Sequence, residues 1–241
     1  MRPAAGALVL ALLPGSVFAG QVPEVPRLEV MTEARSTTVA SYRLQRYLQA
    51  RGCEAELVFN QAGDSELVYR PEGAGHRRLL DAVSAAGQHP VPVWVTRKTA
   101  GVRSLQALEG RDVSIVAGSD PVSGQLALQA LAGAGVVPEQ GQRYVAGDFS
   151  SALGLLLHNN THAAVSELGL VGPFLGPQGL TITWQGEPVS GAGWYARDAN
   201  PGPAIQPCFE ALLTLKRSDD RQIFNLFPEW VHGFATPDSQ P

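Results

Sequence analysis

The side chains best placed to do chemistry here are hydroxyls, amides and single arginines, each next to a change in local pattern. Arg35 stands before Ser36, Thr37 and Thr38, which open an apolar-periodic segment. Ser119, Ser123 and Gly124 stand before another such segment, beginning at Gln125. A helix start presents unpaired N–H groups and a partial positive charge, so both places suit an anion. Arg35 adds a planar donor fork for a carboxylate or oxyanion, and Gly124 lets backbone approach a ligand closely. Tyr69, beside Arg70, ends one short apolar run and is expected to wall the pocket, while Ser166 and Glu167 end another. Glu167 would repel an anion but could accept from an amine. The bland alternative is that these hydroxyls only cap helices and Tyr69 only packs; capping and binding are compatible.

Covalent and metal chemistry find little support. The chain shows no nucleophile elbow, no phosphate-binding P-loop, no H-E-x-x-H and no spaced Cys–His pair. His158 and His162 are four apart, but Asn159-Asn160 should already have ended the helix and no third ligand stands nearby. No cofactor and no metal are expected. Cys53 and Cys208 are the two cysteines; one bridge or two separate buried thiols are both open, since sequence cannot place their Cα atoms.

The elements that must position these residues alternate in type. Strands are expected at 28–31, 55–59, 65–69, 90–96, 112–117, 142–145, 163–166, 180–184 and 192–196. Helices are expected at 36–51, 76–86, 104–108, 125–134, 150–158, 208–216 and 221–227. Pro92 marks an edge or hinge position, and the glycines and prolines of the 170s read as an extended loop. Alternation over the whole length implies an α/β fold with mostly parallel sheets. Two such runs imply two lobes: residues 20–96 with 190–241, and residues 97–189.

Composition limits the partners. With 44% hydrophobic and 17% charged residues and a net charge of −4, the chain is globular and mildly acidic. It has no basic stripe for nucleic acid. Arg2, an apolar run at 7–13 and Val17-Phe18-Ala19 before Gly20 make a cleavable secretory signal peptide over 1–19. The expected location is therefore the periplasm, without insertion into a membrane.

Five segments then resemble one family. Val93-Trp94-Val95-Thr96-Arg97-Lys98 looks like a strand that crosses between lobes, and Ser104-Leu105 with Leu108-Glu109-Gly110-Arg111-Asp112-Val113 looks like the entry to a second lobe. GSDPVSG at 118–124 occupies the place of a glycine-aspartate-proline loop that ends in Ser-Thr-Ser-Gly; here two of those hydroxyls are missing. SSALGLLLHNNTHAAVS at 150–166 is similar to a helix-turn-strand ending in Ala-Val-Ser, with Asn160-Thr161-His162-Ala163 replacing its Gly-x-Ala-Asp. Trp194-Tyr195-Ala196-Arg197-Asp198 resembles the return strand. Together they resemble the phosphate/phosphite/phosphonate branch of type II periplasmic substrate-binding proteins. The resemblance implies two α/β lobes joined by a two-strand hinge. It also implies a monomer that captures a small, anionic solute for an ABC permease in the inner membrane and catalyses nothing. A ligand sensor, a degenerate partner-binding homologue and, less favoured, an enzyme on the same fold are the alternatives.

Overall fold

Residues 25–61, 63–72, 77–198 and 202–237 are described in a computed structural model, and the expected signal peptide lies outside them. The chain opens with β1 (Arg27–Val30), in which Leu28 and Val30 enter the core while Glu29 takes the opposite face. In α1 (Thr38–Gln49) the stripe Ala40, Leu44 and Leu48 is buried at four-residue spacing. β2 (Glu56–Phe59) and β3 (Leu67–Arg70) flank β1 in parallel register, and β4 (Arg77–Val83) follows. The chain then crosses to a second sheet. It forms β5 (Pro92–Arg97), β6 (Val113–Val116), α2 (Gln125–Gly133), β7 (Arg143–Ala146) and α3 (Phe149–Leu157). That lobe is completed by β8 (Ala163–Glu167), α4 (Leu168–Leu175) and β9 (Leu180–Gln185). The chain returns as β10 (Gly193–Ala196), α5 (Gln206–Thr214) and β11 (Gly233–Ala235).

The two sheets have the strand orders β11-β4-β10-β3-β1-β2 and β7-β6-β8-β5-β9. In the first, β10 and β11 run against the other strands; in the second, β5 alone does. The result is the expected two-lobed α/β architecture with sheets that are parallel apart from these strands. β10 lies close against β4: a Cβ added at Gly193 would stand 2.0 Å from the Leu80 carbonyl oxygen, so no other residue fits there.

Three expectations are corrected. Residues 76–86 are not helical but supply β4, which pairs with both β10 and β11. The helix-favouring RRLLDAV composition yields to that two-sided pairing, and the buried Asp81 is held by Arg78 at 3.1 Å and His89 at 3.3 Å. The 170s are not an open loop: they form α4, whose start is capped by Glu167 despite Pro173 inside the helix. Pro92, expected at an edge or a hinge, takes the hinge place: β5 lies between β8 and β9, and its first residue needs no ladder N–H. For the same reason the crossing precedes β5, and the first lobe does not extend to 96.

The crossing and return segments pair with each other as a two-stranded hinge: Gly186 N donates to Pro92 O at 2.9 Å and Val189 N to Pro90 O at 2.9 Å. Cys53 and Cys208 form a disulfide across 155 residues of sequence, joining the end of α1 to α5. By the chain-entropy account, closing so long a loop contributes about 4–5 kcal/mol. Among the described residues no helix is long and apolar enough to cross a membrane.

The candidate site is a cleft between the lobes

Ligands of open parallel sheets sit beyond the carboxyl ends of the strands. Here the ends of β1, β2 and β3 face the ends of β6 and β7 across a cleft of about 920 Å³. Lobe one contributes Glu29, Met31, Thr32, Glu33, Asn60 and Arg70. Lobe two contributes Ala117 to Asp120, Ser123 and Gly147 to Phe149, and the C-terminal segment 224–229 closes one side. The volume falls within the usual range for small-molecule sites.

The lobe-one wall follows from β pairing. In parallel register Glu29 lies opposite Val68 and Val30 opposite Tyr69, which sets Met31 beside Arg70. Glu29, Met31, Val68 and Arg70 therefore share one sheet face, and Tyr69 takes the other. Among the described residues Arg70 has few partners: Nη1 reaches the Met31 sulfur at 3.4 Å and its buried Nε has no hydrogen-bond partner. Glu29 is 6% exposed and makes no hydrogen bond or ion pair among the described residues. Beside them Asn60 and Thr32 are locked together: Thr32 N donates to Asn60 Oδ1 at 2.8 Å and Asn60 Nδ2 to Thr32 O at 2.8 Å.

The lobe-two wall is committed to internal contacts. Asp120 is buried and accepts from Trp230 Nε1 at 2.6 Å, Val122 N at 3.1 Å and Ser123 Oγ at 3.4 Å. Burial pushes its carboxyl up to about 6, although these donors favour the charged form. Asp148 caps α3 by accepting from Ser151 N at 2.6 Å. Glu229, arriving from the C-terminal segment, accepts from Ser150 N at 3.0 Å and also from Ser150 Oγ. Trp230 and Glu229 thus tie the C-terminal segment, which follows the lobe-one helix α5, to lobe two. At the mouth Glu33 reaches over Gly118, where an added Cβ would lie 3.2 Å from Glu33 Cγ.

The residues singled out in sequence fall into three groups. Ser119 and Ser123 line the cleft, Ser119 exposed and Ser123 turned onto Asp120. Arg35, Ser36 and Thr37 follow Ala34, the last residue of that loop to line it, and lead into α1 without contributing to the lining themselves. Tyr69, Gly124 and Ser166 lie elsewhere, which corrects their expected places in the wall. Tyr69 is 0% exposed within rings of Trp194, Phe227 and Phe234, on the sheet face opposite Arg70. Gly124 is buried against Ile115, and Ser166 is buried with its hydroxyl on Glu167 O. Sequence reasoning missed Glu29, Asp120, Asp148 and Glu229. For Glu29 a signal was present: an acid between Leu28 and Val30 in an apolar strand. No grouping of metal-ligating side chains occurs among the described residues.

The arrangement offers hydrogen bonds and charges of both signs to a small polar molecule. Comparison with known proteins agrees. A structure of a binding-protein component of a phosphonate ABC transporter from Pseudomonas aeruginosa is 15% identical, with 88% of this chain and 81% of that one covered and a TM-score of 0.54. An ATP-bound protein from Xanthomonas citri is 16% identical over 89% and 92% of the two chains, with a TM-score of 0.59. The regulatory domain of a LysR-family regulator from Neisseria meningitidis is 10% identical over 88% and 99%, with a TM-score of 0.50. These likenesses establish the fold. No curated protein matches the sequence. The profile described as "ABC transporter, phosphonate, periplasmic substrate-binding protein" matches residues 62–240, most of the chain. The chain therefore belongs to the family of periplasmic substrate-binding proteins of phosphonate ABC transporters.

Proposed function

We propose that this chain, exported by its 1–19 leader, captures a small oxyanion-bearing solute in the cleft and presents it as a monomer to an ABC permease in the inner membrane, with no chemistry of its own. The oxyanion, phosphonate-like in geometry, docks on Arg70. The observation that carries this reading is the Arg70 guanidinium, which lines the cleft with a buried Nε that no acceptor among the described residues satisfies. A buried donor without an acceptor is costly, and a bidentate oxyanion removes that cost. Ser119 and the amides of the α1 start, at Arg35, Ser36 and Thr37, complete the anion's surroundings as the lobes close.

Thermal denaturation of the purified chain against phosphate, phosphonates, sulfonates, carboxylates and amino acids tests the reading. A true ligand at one hundred times its Kd stabilises by about 2.7 kcal/mol. Arg70→Met removes that shift while leaving the ligand-free melting temperature nearly unchanged. If no anion moves the melting temperature, or Arg70→Met binds as well as the native chain, anion capture on Arg70 is wrong.

A further inference from the structure

We infer that the C-terminal segment 217–232 is a strap across the cleft, and that Glu229 and Trp230 are positioning residues that hold the lobes nearly closed before any solute arrives. This concerns the ligand-free chain and does not depend on which solute is captured. The strap is fixed to lobe one on both sides. Ahead of it, Cys208 of α5 is bonded to Cys53. Its two ends are tied together, since Arg217 N donates to His232 O at 2.8 Å and Arg217 Nε to Val231 O at 2.8 Å. After it, β11 pairs with β4, and His232 N donates to Val83 O at 2.8 Å. In its middle Phe227 packs edge-on against Tyr69 of β3, with 4.6 Å between ring centroids.

From this base two side chains latch onto lobe two. Glu229 accepts from the amide and hydroxyl of Ser150 in the first turn of α3, and Trp230 donates to Asp120 in the loop after β6. Their place gives them leverage. The hinge enters lobe two at β5 and leaves it from β9, which form one end of the β7-β6-β8-β5-β9 sheet. Asp120 and Ser150 follow β6 and β7, at the other end. Three strand spacings, roughly 14 Å, separate β5 from β7. Rotation about the hinge that widens the cleft must therefore pull the far edge of lobe two off the strap. That breaks the bonds to Glu229 and Trp230 and wets an indole that is 0% exposed. The indole resists more than the carboxylate does, because water already competes for the half-buried Glu229.

Small-angle X-ray scattering of the purified, ligand-free chain tests the strap. A compact chain of this length has a radius of gyration of about 17 Å, and opening a two-lobed one adds on the order of 1 Å. The native chain should keep the compact value, and the double variant Glu229→Ala with Trp230→Phe should exceed it. Acrylamide quenching supplies a second reading of lobe separation. In Glu229→Ala alone, Trp230 becomes accessible and its emission is quenched; adding Trp230→Phe removes that component. A cooperative melting transition with the disulfide intact shows that each lobe is still folded, so neither readout reports lost stability. Equal scattering by the native chain and the double variant overturns the strap. Should the double variant fold poorly, Glu229→Ala decides, since its contacts lie at the surface: scattering and quenching both as in the native chain overturn the proposal. No solute enters the experiment. Failure of every anion to bind would leave its result standing, and equal scattering would leave anion capture standing.

Discussion

The start of α1 in lobe one and the starts of α3 and α4 in lobe two are furnished in opposite ways. In lobe one, α1 begins at Thr37 with no side-chain cap and no acid in its first turn. In lobe two, carboxylates hold the first amides of α3, through Asp148 and Glu229, and of α4, through Glu167, while α2 starts at Gly124 with no side-chain cap and Asp120 serves the turn before it. A carboxylate that satisfies the first amides of a helix also cancels the field that would draw an anion. The difference separates two tasks. Lobe one leaves the Arg70 Nε without a partner among the described residues, while lobe two commits most of its polar groups to its own turns and to Glu229 and Trp230 of the C-terminal segment.

That division is most sharply broken at Trp230, which is 0% exposed and donates to Asp120. Trp230→Ala leaves a cavity and a buried carboxylate short of a donor, and should lower stability by about 3–5 kcal/mol in urea denaturation. Trp230→Phe should cost less, since packing is largely kept. A Trp230→Ala protein as stable as the native chain would show that the latch holds nothing together.

The next largest effect concerns Asp120, whose folded pKa of about 6 stands above its ordinary 3.8. The folded state therefore binds this proton more tightly than the unfolded one. The stability it contributes is fully present below about pH 4 and is lost as pH rises through about 6. Asp120→Asn mimics the protonated form, so at pH 7 it should be more stable than the native chain by about 2–3 kcal/mol. The gap should close as pH falls toward 4. Denaturation of both proteins from pH 4 to 7.5 checks this; a gap of constant size or of opposite sign would show that burial is not what dominates at Asp120.

The fold was more legible in sequence than the site, for physical reasons. Wholly apolar runs such as Val93-Trp94-Val95 and Ala163-Ala164-Val165 announce strands, and they are found in β5 and β8 with both faces covered. β4 was not legible, because Arg77 to Val83 has helical composition and becomes a strand only through pairing with β10, more than a hundred residues away. In the site, Ser119 and Ser123 were legible as loop residues at a strand end. Tyr69 was not, because the face a residue takes depends on β1–β3 register, which no local pattern states. Asp120 looked like part of a turn; its contact with Trp230 spans 110 residues.

A smaller effect is expected at Asp148, which caps α3. Asp148→Ala should cost about 1 kcal/mol and uncover an amide at the cleft. If anion affinity then rises, the acids of lobe two are what exclude anions from that side. If affinity is unchanged, Glu229 on Ser150 suffices to cancel the field.

The converse change is the mildest. Thr37→Asp would give α1 the acid cap that α3 and α4 already have. The first amides of α1 gain an acceptor and a favourable charge, so stability should rise by about 0.5 kcal/mol. The same carboxylate competes for those amides with any anion held by Arg70, so affinity should fall severalfold as stability increases. Stability and affinity moving in opposite directions would mean that the bare start of α1 is retained for the ligand. If both rise together, the anion does not feel that helix, and its attraction must come from the cleft-lining arginines, Arg70 and Arg217.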